Sequence, residues 1–289
     1  MKIELTPQGH IATDDGEKIF YRVDGAGSPV VVVHGGPGLS MSYLCPDLTP
    51  LARTHMLISY DQRGTGRSSL VADDANISFA KHVDDLEALR RHFGFERLSL
   101  LGHSWGAAPA AGYAMRFADR VERLVLVCPM APRNTPYRDE FVRNRRERLT
   151  PAERTRFDEL AAALPQAADP VGALGDLLAL YFRAFFVNPD LASRLRFTDD
   201  PPEAIGNASR VEALTMASLG DYDWRADLAS VRARTLVIHG DADPIPLESA
   251  REWANAIPSA QFILLRQCGH FPQLEQPAEF FAALDRFLG

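Results

Sequence analysis

The chain has 289 residues, of which 46% are hydrophobic, and carries 31 Lys and Arg against 38 Asp and Glu for a formal charge of −7. A chain of that length can bury roughly three quarters of the surface its unfolded form exposes, so it needs no disulfide or metal staple and suits one large α/β domain, with or without an insertion. Its arginines are scattered among a larger number of acids with no basic tract, which argues against a nucleic-acid partner.

Residues 1–10 hold Glu4, Pro7 and Gln8 where a signal peptide needs an apolar segment, and no window approaches the ~18 uninterrupted apolar residues of a membrane span. Export and membrane insertion are therefore not expected. Cys45, Cys128 and Cys268 are odd in number, far apart and without metal-ligand spacing. They read as reduced thiols of a cytoplasmic protein.

The first thirty residues alternate apolar and polar around Asp14-Asp15-Gly16, with Ile11 before the turn and Ile19, Tyr21 and Val23 after it. This predicts a β-hairpin. Short apolar, β-branched runs then occur at 30–33, 56–60, 98–101, 124–127, 236–239 and 262–265. Runs hydrophobic on both faces suit strands of a buried parallel sheet covered by helices. Between them, Val83, Leu86, Leu89 and Phe93 recur at helical spacing within 79–93, and 107–117 is small and apolar. The alternation predicts a doubly wound α/β sheet.

From residue 133 to 227 no buried-strand run occurs, and Asp169-Pro170, Asn188-Pro189 and Pro201-Pro202 punctuate a helical text. The expected organisation is a core of residues 1–132 and 228–289 with a helical cap inserted at 133–227.

The decisive motif is Gly102-His103-Ser104-Trp105-Gly106, directly after one apolar strand and directly before a small-residue helix. A serine on such a turn has its hydroxyl clear of the backbone, and the helix that follows points its positive end at the site. The bland alternative is a glycine-bounded turn. Pro109 lies early in the following helix, where it is tolerable only near the first turn. A serine nucleophile needs a histidine base, and the base needs a carboxylate. The strand at 236–239 runs into Gly240-Asp241-Ala242-Asp243-Pro244, and the strand at 262–265 runs into Cys268-Gly269-His270-Phe271-Pro272. The order Ser104, Asp243, His270 is that of α/β hydrolases. Asp241 is the competing acid, and either aspartate could instead cap a turn.

His34-Gly35-Gly36-Pro37-Gly38 follows another strand and offers backbone donors for an oxyanion, with Trp105 after the nucleophile offering the second. It lacks the Lys-Ser/Thr ending of a phosphate loop. His34 and His103 read as structural. So does Asp61-Gln62-Arg63-Gly64-Thr65-Gly66-Arg67-Ser68, a turn that locks two loops together.

Taken together, the elbow, the His34 to Gly38 loop with the following Leu39-Ser40 and Tyr43-Leu44, and the Asp61 to Ser68 block resemble the proline iminopeptidases and their aminopeptidase relatives, within the α/β-hydrolase fold. The resemblance implies Ser104 as nucleophile with Asp243 and His270 as partners. It also implies the amides of Gly36 and Trp105 as oxyanion donors, and a Gly36–Pro37 bond that can be cis. Two features depart from that family: His103 replaces the usual glycine of the elbow, and the cap lacks a Trp-x-x-Trp-Glu signature. Family members hold the substrate's ammonium with cap carboxylates. By composition the candidates here lie in the seven acids of 199–227, with Glu203 and Glu212 foremost and Asp221 and Asp223 behind them, although a solvated acidic face explains them equally well. Gly35 in the oxyanion loop and Phe185 in the apolar cap complete the expected substrate contacts.

The expected function is a serine hydrolase working through an acyl-enzyme on a small-molecule or short-peptide substrate, with no metal and no cofactor. An aminopeptidase of proline iminopeptidase type is the first reading. A carboxylesterase or lactonase acting on small apolar esters is the second, and a non-catalytic small-molecule receptor on the same fold is the third. Oligomeric state is not legible.

Overall fold

The computed structural model describes residues 7–196 and 200–289. Glu4 of the N-terminal reading and Asp199 of the acidic stretch lie outside them. The hairpin forms as β1 (Gln8–Ala12) and β2 (Lys18–Asp24), with Ile11 opposite Ile19. It is followed by β3 (Ser28–Val33), β4 (His55–Tyr60), α1 (Phe79–Phe93), β5 (Leu98–His103), α2 (Ala107–Arg116) and β6 (Val121–Val127). The chain closes with β7 (Arg234–Gly240), α7 (Leu247–Ala256), β8 (Gln261–Leu265), the short α8 (Pro272–Glu275) and α9 (Pro277–Leu288), after the four cap helices described below.

The eight strands form one sheet in the order β1-β2-β4-β3-β5-β6-β7-β8. The pairings of β2 with β1 and β4 are antiparallel and those from β4 to β8 are parallel. Alternation along each strand feeds two cores, because successive side chains leave opposite faces. Val31 and Val33 pack with Leu86 and Leu89 of α1 and with Trp253 of α7. Val30 and Val32 pack on the other face with Leu48, Leu51 and, from α9, Phe280 and Leu284. α1 covers the run predicted for it, and Gly94 in the left-handed region, φ 69°, closes it.

Between β6 and β7 the described residues form α3 (Tyr137–Glu147), α4 (Pro151–Ala163), α5 (Pro170–Arg183) and α6 (Pro202–Leu219), linked by short 3₁₀ turns. A reciprocal capping box of Thr150 and Glu153 starts α4, and the Asp169 carboxylate accepts from the Gly172 amide to start α5. The two ends of the segment meet at a neck, where Arg133 bridges Asp223 and the Trp224 amide donates to the Pro132 carbonyl. Leu149, Phe182 and Phe185 from this segment belong to the same apolar cluster as β6 and β7, so the helices are welded to the sheet's own core.

α6 buries Ala204, Ala208, Val211 and Thr215, a stripe at helical spacing. It seats on both glycine loops: a Cβ at Gly38, φ 95°, would lie 2.2 Å from the Ala208 carbonyl oxygen, and the Asn207 amide donates to the Gly64 carbonyl at 3.1 Å. Among the described residues no helix is long and apolar enough to cross a membrane. All three cysteines are free and buried.

Candidate active site

Ser104 stands at the junction of β5 and α2 with φ 55°, one of four non-glycine residues in the left-handed region among those described. Such a conformation costs of order 1–3 kcal/mol and persists only where the surroundings impose it. The surroundings are visible at Gly106, where a Cβ would lie 2.1 Å from the Val33 carbonyl oxygen and 2.6 Å from that of His34. Only glycine lets the elbow press this closely on the neighbouring strand. A 3₁₀ turn over Ser104–Gly106 precedes α2, so Pro109 falls in the first helical turn, where no N–H is needed.

His270 and Asp243 arrive on the loops after β8 and β7. His270 Nδ1 lies 2.7 Å from Asp243 Oδ2, and the other carboxylate oxygen accepts from the Ile245 amide at 2.8 Å. Burial alone would push the Asp243 carboxyl up, but the His270 and His239 rings outweigh it and hold the group below the usual carboxylate value. Asp241, the competing acid, faces elsewhere: it accepts from the Cys268 amide and lies 3.7 Å from Arg266. Ser104 and His270 open on the same cavity, and among the described residues the serine hydroxyl makes no hydrogen bond.

His103, which precedes Ser104, carries an unexpected load. His103 Nε2 donates to the His270 carbonyl at 2.9 Å, which leaves Nδ1 to accept from the Tyr43 hydroxyl at 3.1 Å. That hydroxyl in turn accepts from the Gly35 amide at 2.6 Å. One chain of bonds thus ties the glycine loop, the elbow and the histidine loop together. Burial drives His103 down to about 3, so it stays neutral and keeps this tautomer. His34 is likewise lowered to about 4 by burial and accepts from the Gln62 amide at Nε2. Gln62 also receives the Trp105 indole N–H at 2.9 Å. The Asp61 carboxylate accepts from the Met41 and Arg67 amides, and Arg63 forms a buried ion pair with Asp85. The block from Asp61 to Ser68 is therefore wired into both loops.

The cavity above these residues has a volume of about 520 Å³. Gly36 and Trp105 line it beside Ser104, as does Phe185, whose ring packs edge-on to His270 at 5.0 Å and whose carbonyl accepts from the His270 amide. Three expectations need correction. Gly35 does not line the cavity, and its amide is already bonded to Tyr43. The Gly36–Pro37 bond is trans, with Gly36 turning the loop at φ 59°. Glu203 is exposed on α6 and does not reach the cavity, whereas Glu212 does. Asp223 is paired with Arg225 and Asp221 accepts from Asn134, so most of the acidic stretch is a solvated or structural face. Glu212 lines the cavity while remaining exposed, and the protein around it raises its carboxyl above the usual range, with no ion pair against it among the described residues.

Two groups near Ser104, Asp243 and His270 were not legible in sequence. Tyr43 carried a motif resemblance but no sign of its bridging bond. Cys128, His239 and Asp243 bring possible metal-ligand atoms within 4.8 Å of one another, with His239 Nδ1 buried and unpartnered. The set suits a resident ion poorly: burial holds the Cys128 thiol protonated, and Asp243 is already engaged by His270.

A family model described as the α/β hydrolase fold matches residues 28–277. A proline iminopeptidase of Heyndrickxia coagulans is 26% identical over 97% of this chain and 98% of its own length. The crystal structure of a proline iminopeptidase from Mycobacterium smegmatis is similar in fold, with a TM-score of 0.72 and 24% identity over 97% of each chain. A thermophilic esterase from Thermogutta terrifontis is equally close, with a TM-score of 0.71 and 25% identity over 98% of each. One architecture therefore serves amide and ester chemistry among the relatives. With its sheet order, its strained serine elbow and a family match across most of its length, the chain belongs to the α/β-hydrolase fold family.

Proposed function

We propose that the chain is a serine hydrolase in which Ser104 attacks a substrate carbonyl. The Asp243–His270 hydrogen bond, with Ser104 and His270 lining one cavity, carries this reading. As Oγ bonds to the carbonyl carbon, its proton passes to His270 Nε2, and the negative oxygen is received by the amides of Gly36 and Trp105. His270 then protonates the leaving group as the scissile bond breaks, leaving an ester on Ser104. Water, deprotonated by the same imidazole, reverses the sequence and frees the acid. Asp243 keeps Nδ1 protonated and Nε2 available throughout.

Within that class we infer an aminopeptidase of proline iminopeptidase type. Glu212 supports it: a carboxylate on the wall of a mostly apolar cavity, with no ion pair among the described residues, offers an ammonium an opposite charge. The named activity of the Heyndrickxia coagulans relative points the same way. The apolar majority of the wall favours the second reading, an esterase acting on small apolar esters. A paired panel tests the choice: prolyl and alanyl arylamides with a free amine, their N-acylated forms, and short-chain 4-nitrophenyl esters. Free-amine arylamides are expected to be cleaved and blocked ones not. Better turnover of blocked amides or plain esters would replace the aminopeptidase by the esterase.

A further inference from the structure

Two arginines on the cavity wall have no part in that chemistry, and of these Arg138 is exposed while Arg145 is partly buried. Arg145, in the last turn of α3, lines the cavity with its Nη1 buried and without a hydrogen-bond partner. Among the described residues its guanidinium makes no hydrogen bond and no ion pair. Arg146 by contrast holds Asp158 at 2.6 Å and Arg133 holds Glu252 at 2.6 Å, and among the described residues only Arg145 has a guanidinium nitrogen that is both buried and without a hydrogen bond.

What Arg145 does have is two rings, with its guanidinium carbon 4.9 Å from the centre of Phe157 and 4.4 Å from that of Tyr181. Such contacts steady a cation but use none of the five donors of the planar fork. Burial pulls Arg145 below its ordinary value, and the acid it feels, Asp158, is committed to Arg146. Glu212 does not compensate it either. No ion pair joins the two among the described residues. A desolvated guanidinium with free donors matches a planar oxyanion. The wall around it is apolar, with Phe141, Leu174, Leu178 and Phe182.

We propose that Arg145 is a carboxylate-binding subsite in the cap, taking the anionic end of a ligand whose adjoining segment is apolar. The substrate class that follows is an amide or ester that also bears a free carboxylate. That carboxylate could be the C-terminus of a short peptide or the distal acid of a dicarboxylic half-ester. The subsite rests on the serine-hydrolase reading only for its role in substrate choice.

The test has a binding arm and a turnover arm. In the inactive Ser104→Ala protein, calorimetry compares 4-phenylbutyrate with 4-phenylbutyramide, which are of nearly equal size and shape, the amide carrying no charge and an NH2 donor in place of one acceptor oxygen. The carboxylate is expected to bind about tenfold tighter or more, as a charge-assisted pair allows. Adding Arg145→Met should remove that preference, and Arg145→Lys should keep part of it. In the active protein, free dipeptides are compared with their C-terminal amides, and monomethyl suberate with the dimethyl ester. The pair that shows the preference, and loses it in Arg145→Met while 4-nitrophenyl butyrate turnover stays within about twofold, identifies the source of the carboxylate. Equal binding of the acid and its amide, or a preference that survives Arg145→Met, overturns the subsite. Should Arg145→Met fold poorly, the comparison in the Ser104→Ala protein and in Arg145→Lys decides alone. Full activity in Ser104→Ala would overturn the catalytic reading, and the binding comparison in that protein would still decide the subsite.

Discussion

The floor of the cavity and its roof solve different problems with different means. On the floor, set by β3, β5, β7 and β8, polar groups are buried and bonded in series: Gly35 to Tyr43, Tyr43 to His103, His103 to His270, His270 to Asp243. In the roof, α3 to α6 present an apolar wall on which Glu212 and Arg145 stand without counter-ions among the described residues. A bonded network holds reacting groups in place before substrate arrives, whereas unpaired charges await a partner from outside. On the reading proposed above, the chemistry belongs to the sheet and the choice of substrate to the cap.

If the floor carries the chemistry, its variants should produce the largest losses. Ser104→Ala and His270→Ala are each expected to lower kcat by about 10⁴-fold or more with the fold intact, read by steady-state kinetics beside circular dichroism. Variants that keep a tenth of normal activity would break the contrast at its root.

The next effect is structural. Gly106→Ala drives a Cβ into the Val33 carbonyl, a backbone atom that cannot turn aside. A loss of about 2–4 kcal/mol, seen as a fall of several degrees in Tm, is expected from overpacking at such a contact. A Tm unchanged within a degree would mean that the elbow is not held as tightly as its geometry implies.

A roof variant should sharpen the distinction. Glu212→Gln is expected to reduce kcat/KM for free-amine arylamides by about 10- to 100-fold, and to leave short-chain esters within about threefold. Because burial raises the Glu212 carboxyl, the amine preference should weaken as pH falls through that raised value, where the carboxylate is neutralised. Equal loss on amines and esters would place Glu212 in the fold rather than in recognition.

The smallest effect concerns His82, buried between α1 and α6 beside Thr215 and lowered to about 3 by burial. Its unfolded counterpart titrates near 6.5. Between those values the unfolded chain binds the extra proton, so this contribution to stability is complete above pH 6.5 and declines as pH falls toward 3. His82→Gln should flatten the pH dependence of the unfolding free energy, obtained from urea titrations between pH 6 and 5, by up to about 1.4 kcal/mol per pH unit. An unaltered slope would show that His82 protonates freely in the folded protein.

The same contrast explains what could be read in the sequence. The sheet was legible because strands hydrophobic on both faces and loops needing glycine leave local marks: 30–33, 98–101 and 236–239 all fall within strands, and the glycines around Ser104 mark its turn. Asp243 and His270 followed from their places after strands. The roof leaves no such mark, because which face of a cap helix turns inward depends on how it docks. Glu203 and Glu212 are nine residues apart on α6, about two and a half turns, so they leave opposite sides of the helix and only one can face the cavity. Composition could name both and choose neither. Arg145 was hidden for a similar reason, among charges of both signs in residues 138–164, most of which meet solvent.

The most direct measurement is covalent. A fluorophosphonate mimics the tetrahedral intermediate and reacts only with a serine activated by its base and oxyanion donors. Intact-mass and peptide analysis should find one adduct, on Ser104, absent from Ser104→Ala and strongly slowed in His270→Ala. Labelling at another serine, or an undiminished adduct in Ser104→Ala, would contradict the assignment of Ser104 as the nucleophile.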